Sequence, residues 1–550
     1  MKKKLSILLL LIFITLPTLL PFFNSKFFYT QDYIFIARLN QMSAALSDGQ
    51  FPVRWAPDLR FGEPIFNYYA PLPYYIGALI HLFGFNFLWV AKILFILSAF
   101  FSAVAMYIFA SRLFGKKAGI LAVSLYTYAP YRAVDIYVRG SLSETWAFIF
   151  FPLIFYTSFL VSKKRTAVNV CWLALSLVGL FLTHNVTTLM FLPFLLIWWI
   201  YLIIKEKKIS IVLYLAAASV LAVGLSAFFL LPSFFERDFI QTKYLIVGYF
   251  NFRAHFVALQ QFFSLFWGYG SSLWGPNDGL SFQVGIVNWI ILGLAALSTI
   301  IFRKDKKLIG LLLVLGFSFL LSVSLQHNKS AFIWEAIPLM AFIQFPWRFL
   351  AISVFIVAII GAAITPYLKQ KFIFLYFILI VLSLVSTISY FRPKEYVDDS
   401  FFDKFLNKET MRRGVDLTKD YLPIWVQTTE VEYFDKLKVE KGEAVILDFQ
   451  KRSNLMQGSI DVKSPSLVEV PIAYFPGWEV RANNKLIAEL PPSNRGLIRF
   501  ELPKGTYQIK IELKDTPIRT VGNIISVVSL LLFAILIFGS KRALRLENVA

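Results

Sequence analysis

The chain has 550 residues, 58% of them hydrophobic and only 16% charged, with a mean hydropathy of +0.65. That excludes a soluble globule and indicates a polytopic membrane protein. Its formal charge of +21 lies largely in short clusters between apolar runs, which basic cytoplasmic turns explain without a nucleic-acid partner.

Met1 to Lys4 is basic, and residues 5–23 form an apolar run with no small-x-small cleavage site after it. We read an uncleaved anchor with a cytoplasmic N-terminus. An outer loop, 24–75, follows. Its stretch 27–75 is dense in aromatics and prolines and carries Asp32, Arg38, Asp48, Arg54, Asp58, Arg60 and Glu63. Loops this long and chemically loaded are usually functional. Residues 71–84 are apolar but too short to span, and suit a re-entrant or interfacial helix.

Further spans are expected at 87–110, 118–129 and 144–161, with a polar outer loop at 131–143. Two more bracket His184, and a seventh ends near Leu231. A second long, aromatic outer loop, 232–280, has the composition of an interfacial belt. The eighth returns to the Arg303–Lys307 cluster, the ninth reaches Gln326, and a third outer segment, 327–348, closes with PWRF. The tenth returns to Lys369 and Lys371, and the eleventh exits near Tyr390. The last, 521–538, ends at Lys541, Arg542 and Arg545. Each expected inner turn is basic and both termini fall inside, so about twelve spans satisfy the charge rule. The spans carry almost no charge. Lys92 is the main exception, near an outer end where it can snorkel.

Residues 391–518 differ. They are polar and contain alternating stretches such as WEVRA, LIRFEL and YQIKIEL, with turn signals at Asn483-Asn484 and Pro503-Lys504-Gly505. We expect a β-rich, sandwich-like extracytoplasmic domain inserted before the last helix. The chain thus divides into a membrane domain (1–390), the β-rich domain (391–518), and a last helix with basic tail (519–550).

Three outer segments converge by topology: the loop with Asp32, the loop with Arg132, Asp135, Arg139 and Glu144, and PWRF with Arg348. Arginine forks suit a lipid phosphate, and a carboxylate suits the proton of an acceptor hydroxyl. Asp32, Asp135 or Glu144 can also serve a divalent cation such as Mg or Mn, with His184 a further candidate. Each residue has a plain structural use too. Asp32 and Glu144 suit helix caps, Asp135 and Arg139 an i,i+4 ion pair, Arg54 a headgroup anchor, and His184 a solvated turn. Arg348 opens a span at its outer end, where charge bias gives no reason for it. Asp48, Asp58 and Arg60 read as loop-surface charges. Cys171 is the one cysteine, so no intrachain disulfide or cysteine metal cluster forms.

The order of span, acidic loop, PLPYYIGALIHLFG, span and RLFGKKAG resembles the N-terminal half of GT-C membrane glycosyltransferases. That resemblance implies transfer of a hexosyl or pentosyl group from a polyprenyl-phosphate sugar, at the outer face of the cytoplasmic membrane. It implies an Asp of the first outer loop, here Asp32, as the catalytic group. QFPVRWAPDLRFGEPIFNYYAPLPYY, YRAVDIYVRGSLSETWA, FPWRF, YLPIW and YFPGWEV resemble, more closely, bacterial membrane proteins described as 6-pyruvoyl-tetrahydropterin synthase-related. His81, His184, His255 and His327 are dispersed and do not make the zinc triad of a soluble pterin synthase. The first loop also lacks an Asp-x-Asp motif.

The leading expectation is an inverting glycosyltransferase with Asp32 as general base and Arg54, Arg132, Arg139 and Arg348 on the donor phosphate. Asp135, Glu144 and His184 are then acceptor or metal ligands, and the acceptor is a glycan, a lipid or a protein. The alternatives are a lipid-linked-glycan flippase or transporter, or a non-catalytic envelope assembly protein.

Overall fold

The computed structural model describes residues 2–368, 373–414, 419–428 and 433–547, with side chains between residues 5 and 539. The expected basic turn at Lys369 and Lys371 lies outside the described residues, as do the side chains of Lys541, Arg542 and Arg545.

Among the described residues, eight helices are long and apolar enough to cross a membrane. They are Leu5–Phe23, Phe87–Phe114, Leu142–Lys163, Asn185–Glu206, Lys306–Gln326, Pro346–Tyr367, Ile373–Tyr390 and Pro517–Gly539. A ninth arises if Ile211–Leu225 and Ala227–Phe235, bent by 77° at Ser226, count as one span. The expectation of about twelve is corrected here. The other three fall on Lys116–Thr127, Ala167–Phe181 and Ile286–Ile301, of 12, 15 and 16 residues. At the α-helical rise these reach roughly 18–24 Å, short of a hydrocarbon core of about 30 Å. Turn chemistry, more than apolarity, sets their lengths. Gly115, at φ 95°, ends one helix and opens the next.

Pro346–Tyr367 is the central column, with 94% of its most apolar window buried, whereas Pro517–Gly539 is peripheral at 6%. The basic turns gather at one end of the bundle. There Lys163 pairs with Glu206 at 2.7 Å, Arg165 donates to Ser210, and the Tyr376 hydroxyl donates to the Lys117 carbonyl. Lys92 does not snorkel. It is buried, and its ammonium donates to the carbonyls of Asn24 and Ser25 at 2.6 and 2.9 Å.

The segment expected as a polar loop at 131–143 is instead buried helix. Pro130–Ala133 is α-helical, Val134–Arg139 is a wide π-turn, and Gly140 stops it in the left-handed region. The apolar stretch after Pro71 forms the short helix Leu72–His81.

A two-stranded ladder joins the start of the first loop, β1 (Phe27–Phe28), to β2 (Tyr396–Val397). The C-terminal domain is one open six-stranded antiparallel sheet, which corrects the expected sandwich. Its strands are β3 (Lys438–Arg452), β4 (Leu455–Ala473), β5 (Trp478–Ala482), β6 (Lys485–Leu486), β7 (Leu497–Leu502) and β8 (Gly505–Leu513). The order is β3-β4-β8-β5-β6, with β7 also on β4. At 19 residues, β4 is long enough to pair β8 along its first part and β7 along its second. Alternation alone gives which face each residue takes, and does not reveal that one strand serves two partners.

The sheet's apolar face is covered by the first loop. Trp55 packs on Phe475 and Trp478, Phe61 packs on Tyr433 and Phe434, and the Ala473 amide donates to the Phe61 carbonyl. Asp58 and Arg60 are therefore buried rather than surface charges, and half-buried Asp48 accepts from the Ser453 amide. Asp58 binds Arg412, and Arg60 pairs with Glu63 at 2.8 Å.

The last helix is pinned by a fully buried ion pair. Arg519 Nε and Nη2 reach Glu236 Oε2 at 3.0 and 2.9 Å. Removing one partner strands a charge at a cost of about 3–5 kcal/mol. Glu236→Ala is expected to lower the thermal unfolding temperature in detergent markedly. Glu236→Ala combined with Arg519→Met should be less destabilised than the single variant.

Candidate functional site

The first loop and the π-turn are joined backbone to backbone. The amides of Gln31 and Asp32 donate to the carbonyls of Val138 and Arg139, both at 2.9 Å. Gly140 makes this approach possible. It sits at φ 68°, and a Cβ there would fall 2.6 Å from Thr30 Oγ1 and 2.9 Å from the Asp32 carbonyl. The Asp32 carboxylate also accepts from the Ile34 amide at 3.0 Å, two residues on, just ahead of the helix Ile34–Ser47.

Behind this junction lies a buried charge network. Arg139 Nη1 donates to Asp135 Oδ1, to Glu144 Oε2 at 2.8 Å and to the Tyr131 hydroxyl at 3.2 Å. The Tyr131 hydroxyl in turn donates to Glu144 Oε1 at 2.6 Å. Arg348 Nε lies 3.7 Å from Glu144 Oε2, and its Nη1 donates to the Ile343 carbonyl at 2.8 Å. The π-turn matters here, because it aims Asp135 and Arg139 at the start of the helix that carries Glu144. Such turns recur at functional sites.

A cavity of about 890 Å³ opens in front of the network. Asp32, Arg38, Arg139, His184, Arg348 and Asp420 form its polar wall. Leu230, Phe234, Leu245, Leu339 and Phe342 line it elsewhere. A pocket of this size and mixed lining suits a ligand with one charged and one apolar part. Burial pushes the Asp32 carboxyl above its ordinary range, against the pull of Arg38 and Arg139. Burial also pushes the His184 imidazole down to about 3, and its Nδ1 lies 2.6 Å from the Thr187 hydroxyl.

Of the residues singled out in the sequence, Asp32, Arg139, Arg348 and His184 share this cavity. Asp135 and Glu144 stand behind it as partners of Arg139, which leaves them no open face toward an acceptor. Arg132 is turned away, donating to Ser102 at 2.9 Å and stacked on Phe148. Arg54 is committed elsewhere, to the Phe228 carbonyl at 2.6 Å and Asn523 at 2.9 Å. Among the described residues, no three His, Cys, Asp or Glu side chains assemble to hold a metal ion. The residues present do not make a divalent-cation cage.

The structure adds residues the sequence reading did not pick. Arg38, buried on the helix Ile34–Ser47, has its guanidinium 3.9 Å from the centre of the Tyr69 ring. Its Nε has no hydrogen-bond partner, and no ion pair holds it among the described residues. A single arginine inside IFIARLNQM was a readable signal. Asp420, which comes from the stretch before the sheet, had none, although the adjacent Tyr421 opens YLPIW, one of the stretches that carry the family resemblance.

A family model described as 6-pyruvoyl-tetrahydropterin synthase related domain, membrane protein, matches residues 66–393. An uncharacterized protein of Lactococcus lactis subsp. cremoris (strain MG1363) is 31% identical over 238 residues. That stretch covers 41% of this chain and 38% of the relative.

The contact at Gly140 is testable. Gly140→Ala forces a strained φ and a clash with Thr30 and Asp32. It should cost about 1–3 kcal/mol, the usual price of a strained backbone site. Thermal unfolding reads the cost. A cysteine placed at Asp32 in a Cys171→Ser background should gain reactivity to a soluble maleimide when Gly140→Ala is added.

Proposed function

Since the chain belongs to the 6-pyruvoyl-tetrahydropterin synthase-related family of membrane proteins, we propose that the cavity is the active site of a membrane glycosyltransferase. Its donor is a sugar on a polyprenyl phosphate, bound at the extracytoplasmic face. One observation carries the reading: the carboxylates of Asp32 and Asp420 and the guanidinium groups of Arg38, Arg139, Arg237 and Arg348 line a single cavity that continues into an apolar wall.

In this reading the acceptor hydroxyl oxygen attacks the anomeric carbon as the carbon–oxygen bond to phosphate breaks. Asp32 takes the hydroxyl proton. The leaving lipid phosphate passes from one negative charge to two, and cations fixed in a water-poor site stabilise that gain. Arg38 supports this role best, because among the described residues it forms no direct ion pair. Arg139 and Arg348 face the same space but share Glu144. Arg54 and Arg132, expected on the phosphate, stand outside the cavity and are better read as structural. Asp135 and Glu144 act by holding Arg139 and Arg348 in place. No step runs through a metal ion. The apolar wall takes the first units of the lipid chain.

The test is transfer from a radiolabelled undecaprenyl-phosphate sugar in reconstituted vesicles. Asp32→Asn should lower turnover by about 10²–10⁴, the usual worth of a positioned base. Undiminished transfer by that variant removes Asp32 from the mechanism.

Acidity gives a second check. Asp32 works as the carboxylate, and its folded-state proton affinity is raised, so activity should fall with decreasing pH through a midpoint above the ordinary aspartate range. Arg38 pulls that affinity down. Arg38→Gln should therefore move the acid limb of kcat/KM to higher pH. An unmoved limb breaks the assignment.

A further inference from the structure

The cavity holds a second carboxylate that the proposed chemistry does not use. Asp420 lies in its wall at 9% exposure. Among the described residues it accepts no side-chain hydrogen bond and forms no ion pair. Its side chain lines the cavity, where a ligand hydroxyl can reach it. It lines the same cavity as Asp32 and Arg38. It comes from the stretch that leads into the sheet, not from the helical bundle.

A carboxylate repels a phosphate, so Asp420 does not belong to the anion-binding part of the cavity. Nor, among the described residues, do Asp32 and Asp420 gather a third acidic or histidine ligand for a cation. What an ionised carboxylate takes well is an O–H donor. The surroundings suit a polyol. Tyr421 lines the cavity beside Asp420, and its ring meets Tyr69 edge-on at 6.1 Å, while Tyr69 carries the Arg38 guanidinium on its face. Aromatic side chains beside a carboxylate acceptor offer the two kinds of surface a sugar ring needs, one apolar and one hydrogen-bonding.

We propose that Asp420, with the Tyr69 and Tyr421 rings beside it, forms a hydroxyl-binding subsite that holds the sugar of the donor lipid. The subsite is distinct from the arginines that meet its phosphate. This rests on the lipid-phosphate reading above and specifies which residue selects the sugar. The stretch before the sheet thereby sets specificity, while the bundle supplies the phosphate site and the base.

The test compares binding of undecaprenyl phosphate with that of its glucose, mannose, galactose and arabinose derivatives, by native mass spectrometry of the detergent-solubilised full chain. The wild type should bind at least one sugar-bearing lipid about tenfold more tightly than the bare phosphate, as expected of a hydrogen bond to a charged group. Asp420→Asn should erase that increment and leave affinity for bare undecaprenyl phosphate within about twofold, a difference too small to count as a lost contact. Asp420→Glu should restore part of it. A sugar increment that persists in Asp420→Asn, or is missing from the wild type across the panel, overturns the subsite while phosphate binding stands. If bare undecaprenyl phosphate does not bind the wild type, the glycosyltransferase reading falls and the subsite falls with it. Asp420→Ala, checked by thermal unfolding, separates a folding defect from a lost contact. A variant that unfolds early and also loses phosphate binding marks Asp420 as structural, and that too overturns the proposal.

Discussion

An ionised group taken out of water must find its counter-charge inside the protein, and the polar end of this chain is built on that rule. Arg139 is the hub. It meets Asp135, Glu144 and Tyr131 with one nitrogen and lies over Trp347 with its face, while Arg348 approaches Glu144 from the central helix. Each of these groups alone costs several kcal/mol to bury. Together they hold three segments that are far apart in the chain: 130–140, the head of Leu142–Lys163, and the head of Pro346–Tyr367. A π-turn is a natural solution, because its extra residue per turn re-aims Asp135 and Arg139 without breaking the helix.

What the network leaves over becomes the chemistry. Arg139 and Arg348 are paired from behind and present only their free edges to the cavity. Among the described residues, no ion pair holds Arg38 or Asp420. In a site whose charges were all satisfied, there would be little reason for a ligand of either sign. Here Arg38 and Asp420 face one space without an ion-pair partner among the described residues, which supports the proposal of a ligand with both an anionic group and hydroxyl donors. The apolar side chains of 227–235 and 338–343 extend that space toward lipid.

The membrane character, the long first loop and the β-rich insertion were legible because they rest on composition and period, which survive folding. So was the meeting of Asp32 with Arg139 and Arg348, since three polar segments at one end of a bundle have little room to avoid one another. Span number was less legible. The apolar runs at 118–129, before His184 and before Arg303 read as full spans, yet the helices there, Lys116–Thr127, Ala167–Phe181 and Ile286–Ile301, end at Tyr128, Leu182 and Phe302. Burial was misread in the loops for a related reason. Polar residues at 48–63 and 131–143 suggest solvent, but the sheet and the bundle cover them. Arg54 and Arg132 went astray because a sequence shows that an arginine is near a face, not which way it turns. Asp420 was beyond reach, because its neighbours in space are nearly 400 residues away in the chain.

The sheet's place in the fold follows from the same constraint. It enters through the stretch holding Asp420 and leaves through Arg519, which is locked to Glu236 at the end of the broken helix pair. Arg54 sits next to that lock, bonded to Asn523 on the last helix and to the Phe228 carbonyl, in the same broken pair that supplies Leu230 and Phe234 to the cavity. The first loop, which carries Asp32 at one end, runs on beneath the sheet through Trp55 and Phe61. Any shift of the sheet therefore pulls on Asp420 directly, on Asp32 through the loop, and on the apolar wall through the last helix. An insertion anchored at all three sides of a cavity is placed to hold its walls in register, which a mere cover tethered at one point could not do.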